Sequence, residues 1–241
     1  MVLPGSARSN SGVTPWCSFT PVKNTGHQPL EEPVFAAVAA EVASGSEVTR
    51  NTSRRWSDID PSLPGDEILV MAPEPNTSAT MVFQEQALAE GCRSYEAITG
   101  LEPDERERVC RSVRLDDHVL NDAKRENSVI AWLEDNRNGF AVINYTAYRD
   151  YADRVSVNSI DGMEPSPATI GNKRYPLGSS TYVYMKGQNN NPVPGLQQFL
   201  YELTSERALS PEGYVVERGL VPLDVIGRNR ARNEALRFDM Q

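Results

Sequence analysis

An α/β class is predicted by short apolar runs that alternate with helical spacings along the chain. The pattern is plainest where Glu67-Ile-Leu-Val-Met, bounded by prolines, gives way through Asn76-Thr-Ser-Ala-Thr to Gln84-Glu-Gln-Ala-Leu-Ala-Glu. It recurs where Phe140-Ala-Val-Ile meets Tyr145–Tyr151, and where Thr181-Tyr-Val-Tyr-Met-Lys is followed, after a polar loop, by Gly195–Thr204. Each apolar run reads as a buried strand, and each following segment carries its apolar residues at helical intervals.

In chain order, Met1–Thr25 is rich in Ser, Pro, Gly and Asn without periodicity, so residues 1–32 are expected to be disordered or atypical. This segment lacks the basic start and apolar stretch of a secretory signal: either the chain is not a complete precursor or it is not exported. Pro33–Val42, rich in alanine, predicts a short helix, and Ser44–Arg55 a polar loop. Helices follow at Pro103–Val113 and at Glu126–Asn136, where Asn138-Gly139 supplies a stop. Val155–Ile160 alternates as a strand does, Ser166-Pro167 opens a helix to Ile170, and Pro211–Arg218 forms another, ended by Gly219. The tail from Asp224 is charged, with a last helix over Arg228–Arg237.

The 241 residues suffice for one large domain or two small ones, and no run nears the roughly 20 apolar residues that span a bilayer. A net charge of -9 argues against a nucleic-acid surface, and no nucleic-acid partner is expected. A small anion is a different matter, because a local site can hold one through N–H dipoles and hydroxyls. Thr77, Ser78 and Thr80 place hydroxyls where a helix begins, beside the free N–H groups of its first turn. The same residues also cap helices that bind nothing, and both readings stand at this point.

Catalysis finds no support, since no Gly-x-Ser-x-Gly elbow, phosphate loop or His-Glu-x-x-His occurs. His27 and His118 are the two histidines, and Asp116-Asp117-His118 reads as a solvated polar face because adjacent residues do not converge on one centre. No metal and no cofactor are expected. Asn51, Asn76 and Asn144 fit the glycosylation sequon by coincidence. Asn127, near the start of a helix, can reach a cleft but reads first as a cap or a solvated residue, and Tyr182, Tyr184 and Phe199 read as core packing. Cys92 closes one helix and Cys110 lies in the next, which allows either a bridge or two buried thiols; Cys17 has no evident partner.

Three groups of residues carry a resemblance: Trp56-Ser-Asp-Ile-Asp-Pro-Ser-Leu-Pro; Pro165-Ser-Pro-Ala-Thr-Ile with Tyr175-Pro-Leu and Thr181–Lys186; and Leu209-Ser-Pro-Glu-Gly-Tyr through Gly219-Leu-Val-Pro-Leu. Together they resemble the phosphate-binding protein of bacterial phosphate ABC importers, a type II periplasmic binding protein. Ala36-Ala-Val-Ala-Ala-Glu-Val and the spacing of Cys92 and Cys110 resemble a subgroup with a disulfide in this helical pair. The likeness runs over about 33–223, with about 60–160 as the second lobe and 224–241 as a charged tail. It implies a type II periplasmic-binding-protein-like fold, one complete α/β lobe plus part of a second, and a non-catalytic monomer in the periplasm. Such a protein binds phosphate or a similar oxyanion between lobes and serves ABC permease subunits.

The family's Ser-Gly-Thr turn corresponds here to Ser78, Ala79 and Thr80, which the resemblance makes the ligand-binding residues. Ala79 departs from glycine, and Met81 and Val82 stand where the subgroup carries Arg-Asp. Gly178-Ser179-Ser180 follows Tyr175-Pro-Leu where an arginine is common. The opening Gly-rich loop, Gly-Ser-Gly turn and aspartate of the family have no counterpart in Met1–Gln28, so the chain resembles a member lacking its N-terminal segment. The alternative that these departures support is a degenerate or truncated paralogue with no small ligand, serving as a structural or protein-interaction domain.

Overall fold

The computed structural model describes residues 6–19, 31–75, 77–121, 126–160, 162–186, 189 and 192–237. Its strands among these are β1 (Ser6–Phe19), β2 (Glu41–Ser44), β3 (Glu47–Arg50), β4 (Val70–Met71), β5 (Val119–Leu120), β6 (Phe140–Asn144) and β7 (Gly178–Lys186). The chain divides into two compact units, one comprising Trp16–Glu164 and the other Met1–Pro15 with Pro165–Gln241.

In the first of these units, β4 lies between β5 and β6 and runs parallel to both. Val70 pairs with Val119 and Phe140, and Met71 with Leu120 and Ala141. Parallel neighbours need crossover connections, and helices supply them. β6 pairs antiparallel with Trp16–Phe19 of β1. Val70, Met71, Val119, Ala141, Val142 and Ile143 are all buried, the near-continuous apolar pattern of strands covered on both faces. Around them Phe35, Ala37 and Val38 from helix Glu31–Val38, Phe83 and Leu88 from the helix after β4, and Ile130 and Leu133 from helix Glu126–Asp135 are sealed from solvent.

The other unit pairs Ser6–Pro15 of β1 antiparallel with β7. Met185 of β7 packs with Leu200 of helix Leu196–Leu203 and Ala235 of helix Val225–Arg237, while Ala208, Leu209 and Val215 form a second cluster. Helix Pro167–Gly171 opens as its Ser166-Pro167 start predicts. Ser166 Oγ accepts the Thr169 N–H at 3.1 Å and Thr169 Oγ1 accepts the Ser166 N–H at 2.9 Å, a reciprocal cap.

Several features differ from the sequence reading. The helix expected over Pro33–Val42 ends at Val38, and the chain turns into the hairpin β2–β3 instead of a loop. Gly45, at φ 62°, occupies the first position of its two-residue turn, where a left-handed backbone matches the strand twist. Val155–Ile160 forms no strand but an irregular run with isolated bridges, such as Ile160 to Met163. Ser6–Phe19 is extended and paired, although its sequence shows no strand period. Tyr182, Tyr184 and Phe199 are exposed by 39%, 56% and 55%, so they are not core residues. The expected loop Gly187–Pro194 falls partly outside the described residues, as does His27.

Gly139 follows helix Glu126–Asp135 as expected, but its reason is space rather than backbone handedness. A Cβ there would come within 2.8 Å of the Trp132 ring and 2.9 Å of the Asn136 carbonyl oxygen. Gly139→Ala is therefore expected to cost about 1–3 kcal/mol and to lower the melting temperature by several degrees, read by thermal denaturation.

The segment Trp56–Ile59, expected as an approach to the strand, is a one-turn helix that presents Trp56 to Phe140, with ring centroids 4.8 Å apart. Asp58 Oδ2 accepts the N–H groups of Arg54 and Arg55, each at 2.9 Å, and these bonds hold its carboxyl below the ordinary 3.8. A carboxyl depressed by folding stabilises fully above its unfolded pKa and loses that contribution as pH falls through its folded value. Asp58→Asn should thus unfold more easily at pH 7, and acid titration of both proteins should bring their stabilities together below pH 3.8.

Candidate functional site

β4 ends at Met71, and the chain leaves the sheet through Ala72, whose N–H still bonds the Leu120 carbonyl at 2.7 Å. A helix begins at Ser78, with Thr77 as its N-cap in extended conformation. A helix N-terminus beyond the carboxyl end of a parallel strand is where α/β sheets present backbone N–H groups to ligands.

The three predicted contact residues, Ser78, Ala79 and Thr80, form the first turn of this helix. Ala79 is buried, 7% exposed, and has helical backbone. The glycine of the resembling turn is therefore not required here by positive φ, and the methyl group contributes to the core. Thr77 Oγ1 accepts the Thr80 N–H at 3.3 Å and donates to the Glu74 carbonyl at 2.8 Å. Thr80 Oγ1 also donates to the Glu74 carbonyl and lies 3.1 Å from Thr77 Oγ1. Two hydroxyl protons thus converge on one carbonyl, and the turn caps itself. The Ser78 side chain and Asn76 lie outside what is described. Met81 is 58% exposed and Val82 is buried, so the two positions where the resembling subgroup carries Arg-Asp present one apolar surface residue and one core residue.

The helix continues past Val82 as a π-helical segment, Phe83–Leu88, then as α-helix Ala89–Arg93. Cys92 near its end is bonded to Cys110 of helix Pro103–Arg111, with Cα atoms 5.5 Å apart, and both cysteines are buried. The bridge expected from the resemblance is present, and reduced thiols are not. A closed loop of sequence separation 18 contributes about 3 kcal/mol by chain entropy.

Other singled-out residues serve the fold. His118 Nδ1 lies 3.2 Å from the Ile68 carbonyl oxygen, and Asp116 Oδ1 accepts the N–H groups of His118 and Val119 at 2.9 and 3.0 Å. This turn enters β5, and among the described residues no cluster of three His, Cys, Asp or Glu could hold a metal. Asn51 is buried and donates to the carbonyls of Ala36 and Ala39 at 2.7 and 2.8 Å, while Asn144 caps the helix Tyr145–Asp150. The Asn127 side chain lies outside what is described. Arg114 carried no sequence signal. It is buried, donates to the Ser53 carbonyl at 2.7 Å and sits 3.6 Å from Asp116, tying the exit of the hairpin to the entry of β5. Burial pulls its guanidinium pKa down, against the opposing Asp116 charge.

The sequence matches the family described as PBP superfamily domain over residues 22–207. The structure is similar to a possible phosphate binding protein from Planctomyces limnophilus DSM 3776, at 16% identity and a TM-score of 0.66, covering 97% of this chain and 72% of that one. It is also similar to PstS from Borrelia burgdorferi, at 13% identity and a TM-score of 0.63, covering 92% and 74% of the two chains. An ABC-type phosphate transport receptor from Vibrio cholerae matches at 14% identity and a TM-score of 0.59, covering 91% and 74%. None of the curated proteins matches. The fold is α/β and type II periplasmic-binding-protein-like.

The cap makes a measurable demand on Thr77. Thr77→Val should lower stability by about 1 kcal/mol, read by urea denaturation, because the Thr80 N–H loses its acceptor.

Proposed function

We propose that this chain, which belongs to the PBP superfamily domain family, is a solute-binding module for phosphate or a related oxyanion in an ABC import system. The observation that carries the reading is the family match over residues 22–207, and the similarity to phosphate-binding proteins points in the same direction. In this reading residues 33–223 are the binding-protein region, about 60–160 its second lobe, and 224–241 a charged tail. The protein acts in the periplasm, as a monomer, and hands its ligand to the permease subunits. A disulfide suits an oxidising compartment.

The anion is received at the first turn, by the amide of Ala79 and the hydroxyls of Ser78 and Thr80. Thr80 then exchanges its bond to the Glu74 carbonyl for one to the ligand oxygen, while Thr77 keeps the cap. The stretch from Glu74 to Val82 contains no lysine or arginine, so hydrogen bonds and the helix dipole supply the attraction at this turn. A charge-assisted hydrogen bond contributes roughly 1.5–3 kcal/mol, which makes the affinity sensitive to each hydroxyl.

Thermal denaturation in rising phosphate, with sulfate and a neutral solute as controls, tests the reading. Saturable stabilisation is expected, about 2.7 kcal/mol at one hundred times Kd, or several degrees for a chain of this size. Thr80→Val should weaken it without abolishing folding. No phosphate-dependent rise from a cooperatively folding sample would reject phosphate, and a rise with sulfate alone would transfer the site to another oxyanion.

A further inference from the structure

The helix that opens at Ser78 is not uniform, and its burial pattern shows why. After Ala79, its buried residues come in pairs, Val82 with Phe83, Ala87 with Leu88, and Gly91 with Cys92. The first step between pairs is five residues and the second is four. In an α-helix a five-residue step turns a side chain about 140° away from its predecessor. Leu88 would then point about 140° away from Phe83 and leave the core, although Ala87, four residues after Phe83, would keep to its face. The π-helical segment Phe83–Leu88 absorbs the extra residue, with the Ala89 N–H reaching back five residues to the Gln84 carbonyl.

Both ends of that widened segment are tied to one neighbouring helix, Pro103–Arg111. Gln84 Nε2 donates to the Arg111 carbonyl at 2.9 Å, and the Glu85 carboxylate lies 4.0 Å from the Arg111 guanidinium. Beyond the other end, Cys92 is covalently joined to Cys110. The near tether is one hydrogen bond with an exposed ion pair, which is weak. The far tether is the bridge.

We infer that the Cys92–Cys110 bridge holds Phe83–Leu88 in its widened register and thereby sets the rotation of the first turn, Ser78–Thr80. With the bridge open, the extra residue can pass out of the segment. The segment then interconverts between the widened register and plain α-helix, opening its backbone hydrogen bonds at each passage, and in the plain helix the first turn is rotated by about 100°. The bridge is in this sense a conformational device as well as a staple. By governing the ligand-contacting turn it deepens the proposed function, and its link to the ligand alone rests on that reading.

Amide hydrogen exchange, read by mass spectrometry on the full chain without phosphate, tests the register directly. The oxidised protein is compared with the same protein treated with dithiothreitol. This dithiol passes two electrons and two protons to the bridge sulfurs, giving two thiols, and closes its own disulfide. The variant Cys92→Ser with Cys110→Ser gives a second comparison without reductant. Exchange across Ser78–Leu88 is expected to quicken about tenfold or more in both, while the hairpin Glu41–Arg50 and strand β6 stay within about twofold. Unchanged exchange over Ser78–Leu88 would overturn the inference. So would equal acceleration of every segment, including outright unfolding on reduction, because the bridge would then be a staple only. Phosphate is absent throughout, so this result and the phosphate titration can fail independently.

Discussion

β4 pairs through only two residues, Val70 and Met71, yet the candidate site depends on that pairing. Because β5 and β6 run parallel to β4 on either side, the chain must leave β4 at its carboxyl end and return over the sheet by way of helices. Buried on both sides, such a strand has no freedom of register: slipping by one residue would move Val70 and Met71 from their partners and reverse their faces. The start of the next helix is thereby fixed near the sheet end. The hydroxyls of Thr77 and Thr80 and the backbone amides of this turn are local chemistry placed by a distant constraint.

That chemistry is divided between two uses. Oxygen acceptors and N–H donors at the start of a helix can satisfy each other or serve a ligand. Thr77 and Thr80 both direct their hydroxyl protons to the Glu74 carbonyl. A ligand that takes the Thr80 proton must offer a better acceptor than a neutral carbonyl, and an ionised oxygen does so because charge-assisted bonds are about twice as strong. Under the proposed function, the self-capped turn discriminates by acceptor strength. A neutral solute offers Thr80 no gain over Glu74, whereas an oxyanion does.

The parts of this arrangement that were legible in the sequence are those governed by local rules. Ser166-Pro167 signalled a helix start because the cap and the fixed φ of proline act within one turn, and Pro103 opens its helix for the same reason. Phe140–Ile143 was legible because burial on both faces leaves an apolar run. The parts that were not legible depend on partners far away in the chain. Ser6–Phe19 is extended because β6 and β7 offer it hydrogen bonds, not because its side chains alternate. Val155–Ile160 alternates but finds no strand to join. Ser78, Ala79 and Thr80 could be placed at a helix start, but the competing Glu74 carbonyl could not, since a backbone acceptor leaves no mark in a sequence. The five-residue step from Val82-Phe83 to Ala87-Leu88 is present in the sequence, yet a short apolar stretch of that kind fits an ordinary helix unless its burial is known.

An anion reading in a chain of net charge -9 looks contradictory only if charge is summed over the whole molecule. At physiological salt the screening length is about 8 Å, so most of the carboxylates contribute little at any one point on the surface. Within the stretch Glu74–Val82 itself, the groups that act on an anion are the amide dipoles, the hydroxyls and the negative Glu74. With no lysine or arginine from Glu74 to Val82, each further charge on the ligand gains nothing from a counter-ion on this stretch and is repelled by Glu74. Under the proposed function, this stretch therefore favours an oxyanion of low charge over a more highly charged one. That preference comes from the same residues, Met81 and Val82, that separate this turn from the pattern it resembles.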